Sequence, residues 1–97
     1  NVREAMQQTD QLVRAAFIDL ENAFEGLRIE NRSLELSRRQ LTLALEQYRL
    51  GALNFQGLQT VIDRASQAER AAVTAKYQLA AAVATLKERV GSSSADM

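Results

Sequence analysis

Tyr48-Arg49-Leu50-Gly51-Ala52-Leu53-Asn54-Phe55 is the stretch that decides the fold. Long helix-forming segments flank it on both sides, and it carries the residues that end one helix and start another. Gly51 stands just past the last periodic residue, where a residue in the left-handed region closes a helix at no steric cost. Asn54 is a good N-cap for a helix starting at Phe55, because its side-chain oxygen accepts from the first free backbone N–H groups. Leu53 before the cap and Leu58 four residues after it are spaced for a hydrophobic staple. Residues 51–54 therefore predict a hairpin tip. A loop this short makes the two helices antiparallel neighbours.

Upstream, Val2 to Leu50 contains no Pro and a single Gly, Gly26. Glu, Gln, Arg, Leu and Ala dominate it, all strong helix formers. Met6, Val13, Leu20, Leu27, Leu34, Leu41 and Tyr48 recur every seventh residue and are all apolar or aromatic. The companion stripe is Val2, Thr9, Ala16, Ala23, Glu30, Ser37 and Ala44, mostly small, with Glu30 its one charged intruder. Such a sevenfold repeat predicts a left-handed supercoil of the first helix, residues 1–50, around a partner. At about 1.5 Å per residue that helix is roughly 70 Å long, so the molecule is expected to be a rod.

Downstream, the returning helix is predicted over 55–90. Its stripe is Leu58, Ala65, Ala72, Leu79 and Leu86, and its companion Val61, Ala68, Ala75 and Ala82. Ile62, Val73, Val83 and Val90 lie beside these stripes, as Phe17, Phe24 and Leu45 do on the first helix. A two-stranded coiled coil needs one narrow seam. The extra apolar width predicts contact with more than one neighbour. The plainer, less favoured alternative for the Ala-rich run from Ala71 to Ala84 is simple helix propensity. After Gly91 the small polar residues 91–97 are expected to form a disordered tail. The fold class is thus all-α: a long antiparallel helical hairpin of coiled-coil type.

Composition narrows the function. Among 97 residues, Lys plus Arg is 12 and Asp plus Glu is 12, so no net charge draws the chain to nucleic acid or anionic lipid. There is no Cys and no His, which removes thiolate chemistry, disulfides, the commonest general base and the commonest neutral metal ligand. Glu4, Asp19 and Glu25 lack the Glu-x-x-His pattern of a di-metal bundle. The chain is expected not to be an enzyme, and no cofactor is expected. No apolar run is long enough for a membrane-spanning helix. The polar start at Asn1, without an initiating Met, leads to the expectation that this is a segment of a longer chain.

The tip stretch YRLGALNF, residues 48–55, resembles the tip of the periplasmic helical hairpin in TolC-like outer membrane efflux proteins. The family pattern there is roughly Tyr, two residues, Gly, three residues, then an aromatic or aliphatic residue. Tyr48, Gly51 and Phe55 stand at those places. Gln67-Ala68-Glu69 falls where the family has a similar triplet. Gly91 falls where the family has a Gly after an apolar pair, and Asp19-Leu20-Glu21-Asn22-Ala23 resembles the start of the family's second-repeat long helix. The resemblance spans residues 10–91 or so.

The resemblance implies that this chain is a fragment of a trimeric α-helical tunnel. The full subunit would add strands of an outer membrane β-barrel, placing this segment in the periplasm. Its implied partners are other subunits, a periplasmic adaptor and an inner membrane pump, for the export of drugs, metals or proteins. Gly51, Ala52, Leu53 and Asn54 would dock the adaptor, and Tyr48 and Thr60 would line the channel mouth. Thr60 departs from the family, which usually carries Leu-Asp-Ala where this chain has Gln59-Thr60-Val61.

Read without the resemblance, Gly51 is a helix stop, Leu53 a staple, Tyr48 a core residue and Thr60 a surface residue. Arg38-Arg39 reads as a solvated face with i,i+4 ion pairs to neighbouring Glu. Two other functions fit a long hairpin. Periplasmic adaptors carry helical hairpins, but with a tip pattern centred on Arg, Leu and Ser, unlike Gly51-Ala52-Leu53-Asn54. A generic structural coiled coil is the other.

Overall fold

The computed structural model describes residues 2–95, with side chains to residue 91. It contains two helices, α1 (Val2–Arg49) and α2 (Phe55–Ala95), folded back on each other as an antiparallel hairpin. The molecule is a rod measuring 73 × 15 × 14 Å. Its radius of gyration is 21.4 Å, against roughly 13 Å for a compact domain of about this size. The long shape follows from the absence of Pro and the near absence of Gly from two sequences of strong helix formers.

The seam between the helices is built from the two sevenfold stripes of each. On α1, Val13, Ala16, Leu20, Ala23, Leu27, Leu34, Leu41 and Ala44 are buried or half-buried. On α2 the same holds for Leu58, Val61, Ala65, Ala68, Ala72, Ala75, Leu79, Ala82 and Leu86. Among the described residues the buried ones are alanines with one exception, Leu58. Small residues let the helix axes approach closely, and by the register of Phe24 with Leu79 and Arg38 with Glu69 the half-buried Leu27 and Leu34 of α1 stand at the height of the alanine run of α2. Val2 and Met6, the first members of the α1 stripes, are exposed. Glu30 lies in the seam, half-buried, and makes no ion pair among the described residues.

α2 does not stop at Val90. It continues through Gly91 to Ala95, where the sequence predicted a tail from 91 onward. Gly91 sits in open space, with nothing within 4 Å of a Cβ placed on it. A single Gly costs a helix only about 1 kcal/mol relative to Ala, and no Pro follows to end it. Residues 96 and 97 of the expected tail lie outside the described residues.

The turn is held by its backbone. The Gly51 N–H donates to the Tyr48 carbonyl at 3.0 Å and the Ala52 N–H to the Gln47 carbonyl at 2.8 Å. This pair of bonds is a Schellman motif, which satisfies carbonyls the helix end would leave free. Gly51 has φ of 78°, the one positive value in the described chain. Gly51→Ala is expected to lower stability by about 1–2 kcal/mol through this backbone strain alone, since no atom lies near enough to clash. A urea titration with unchanged slope and a lower midpoint checks it; an unchanged midpoint refutes it.

Candidate tip and lateral surfaces

The returning helix starts as its cap residue dictates. Asn54 Oδ1 accepts from the Gly57 N–H at 2.7 Å, and the Asn54 carbonyl accepts from the Leu58 N–H at 3.1 Å. Leu53 is half-buried and lies over Gly57, where a Cβ would come within 2.5 Å of its Cδ1. The missing side chain at Gly57 thus makes room for Leu53. That role is not visible in the sequence, because it depends on where Leu53 packs. Ala52 is exposed.

Tyr48 and Phe55 close the tip as an edge-to-face aromatic pair, with ring centroids 6.4 Å apart and an interplanar angle of 64°. Aromatic pairs prefer this geometry because the positive ring edge meets the negative face. Tyr48 remains 44% exposed. Thr60 is exposed and turned away from the seam, with its hydroxyl donating to the Gln56 carbonyl at 3.0 Å. Within one chain Tyr48 and Thr60 therefore lie on different faces. Gly51, Ala52, Leu53 and Asn54 lie together at the end of the rod. Gln59 donates to Asp63 at 3.1 Å, an i,i+4 pair on the first turns of α2.

Arg39 pairs with Glu35 at 2.7 Å along α1. Its neighbour Arg38 instead reaches across to Glu69 of α2 at 3.6 Å. Sequence spacing within one helix gives no sign of that second pair. It requires the register of the hairpin.

Two surfaces beside the seam remain apolar. The first is a stripe on the back of α1. Ile29, Leu36, Leu43 and Leu50 recur every seventh residue and are all more than half exposed. They alternate with Gly26, Ser33, Gln40 and Gln47 at spacings of three and four, a second uncharged heptad pattern about 100° around the helix from the first. The stripe was legible from its spacing, but the stronger one headed by Met6 masked it. The second surface is lateral, where α1 and α2 meet edge to edge. A groove of about 610 Å³ there is lined by Phe17, Leu20, Phe24, Leu79 and Val83, with Glu21 and Glu25 on its rim.

No group of His, Cys, Asp and Glu able to hold a metal occurs among the described residues, and no helix there is long and apolar enough to cross a membrane. Compared with known proteins, the chain matches no family model, no curated sequence and no solved structure. What the geometry defines is a fold: an elongated all-α antiparallel hairpin.

Proposed function

We propose that the hairpin is a wall segment of a helical export tunnel of the TolC-like outer membrane type, and that its tip docks a periplasmic adaptor. The second heptad stripe of α1 carries this reading. Ile29, Leu36, Leu43 and Leu50 run along a face that α2 does not cover. A helix in a tunnel wall needs one seam toward its hairpin partner and another toward the next subunit. An isolated two-stranded coiled coil needs only the first. In this reading Gly51, Ala52, Leu53 and Asn54 form the docking end, with Tyr48 and Thr60 at the mouth. The work is mechanical: a wall, a docking point and no catalysed step.

The test uses the longer parent channel that this reading requires. Leu36→Glu with Leu43→Glu is expected to prevent subunit assembly, seen as loss of the trimer on native gels. Ala52→Trp adds bulk at the tip without altering the Schellman turn. It is expected to leave the trimer intact and abolish export of a toxic compound. Assembly unaffected by the paired glutamates removes the wall role. Normal export with Ala52→Trp removes the docking role.

A further inference from the structure

The lateral surface is longer than its groove. It is formed by Phe17, Phe24 and Leu45 of α1 and Phe55, Ile62 and Val83 of α2, all exposed except Ile62 and Val83, which are half-buried. The apolar residues fall into two clusters, one at the tip and one toward the open end. A polar middle separates them, containing the Arg38–Glu69 pair and Lys76. Lys76 forms no ion pair within the described chain. We infer that this face receives a second copy of the same chain, related by a two-fold axis parallel to the rod, giving a four-helix bundle with both tips at one end.

The register of the hairpin chooses the partner and its direction. Phe17 and Phe24 share a height with Leu79 and Val83, Arg38 with Glu69, and Tyr48 with Phe55. An axis along the rod sets α1 of each copy against α2 of the other at equal heights. Phe17 then meets the second copy's Val83, and Leu45 meets its Phe55. Glu21 on the groove rim lies about one to two helical turns in height from the second copy's Lys76, within reach of the long lysine side chain, and Arg38 comes within reach of its Glu69. An axis across the rod can also superimpose the apolar ends, matching Phe17 with Leu45 and Val83 with Phe55. That register places Glu69 on Glu69, two like charges at the centre, which is unfavourable. The size is adequate. A strip as long as the 73 Å rod and about 10 Å wide gives roughly 700 Å² per copy, or ~1,400 Å² in all, within the usual range for specific interfaces. The inference does not rest on the export reading, because that reading uses the back of α1.

The experiment uses this chain in solution. Sedimentation equilibrium is expected to show a dimer at high micromolar concentration. Spin labels on Ala52→Cys are expected to lie ~10–25 Å apart, as two tips on adjacent hairpins would with helix axes about 8–10 Å from their neighbours. Phe17→Glu with Phe24→Glu is expected to weaken the dimer at least ~30-fold, as loss of buried aromatic anchors does, with helical circular dichroism retained. If that variant does not fold, the charge exchange decides: Glu21→Lys weakens the dimer and adding Lys76→Glu restores it. Leu36→Glu with Leu43→Glu is expected to leave this dimer standing, which separates its fate from that of the tunnel wall. A monomer at every concentration, a tip-to-tip distance approaching the length of the rod, or a charge exchange without rescue overturns the inference.

Discussion

Leu58→Ala is expected to lower the stability of the hairpin by about 2–4 kcal/mol, the usual range for emptying a Leu site in a packed seam. Leu58 is the one large side chain buried among the described residues, at 5% exposure. It sits where α2 first turns against α1, at the height of buried Ala44 and next to the capped turn. The alanine opposite cannot swell to fill the space. For a chain of this size the loss corresponds to a fall in Tm of roughly 10–20 °C. Thermal unfolding followed by circular dichroism at 222 nm reads it directly. A change below a few degrees would mean that the tip stands without this contact.

The opposite error is expected to cost nearly as much. Ala72 is 2% exposed, the most buried of the described core residues, in the middle of the alanine run of the seam. Ala72→Leu adds volume where the helices are closest. It is expected to destabilise the hairpin by about 1–3 kcal/mol, because the axes must part or the side chain must leave its rotamer. Ala81→Leu makes the same chemical change at an exposed position of the same helix and is expected to have little effect. Equal midpoints for the two variants in urea would refute close packing at Ala72. Together Leu58 and Ala72 show that the seam is set by volume on both sides, with one site that needs bulk and another that excludes it.

The rod and its turn were legible because each rests on local chemistry. A sevenfold apolar repeat defines a face on a helix whatever surrounds it. Gly51 and Asn54 act through hydrogen bonds to residues three or four places away, so their roles follow from spacing alone. The cross-chain features were not legible. The Arg38–Glu69 pair and the Tyr48–Phe55 contact depend on register, which the sequence sets only through the turn. Nothing in the local pattern marks Gly57 as the space that Leu53 occupies. The predicted tail differs from the structure because it rested on the small polar composition after Gly91, whereas α2 continues to Ala95 through residues that carry no Pro to break it. The candidate surfaces were legible only as excess apolar width. Dividing that width into a back stripe and a lateral face required knowing which face α2 covers.

The Schellman turn at Gly51 also dictates an order of events. Its hydrogen bonds, Tyr48 to Gly51 and Gln47 to Ala52, span only a few residues, whereas a contact at the open end, such as the groove joining Phe17 to Val83, spans most of the chain. Closing a short loop loses little entropy and closing a long one more. The hairpin should therefore zip from its tip, each new layer shortening the next loop, and should fray first where the two ends lie. Pulled by its termini, the molecule would open like a clothes-peg and yield layer by layer, with the bend at Gly51 the last part to let go.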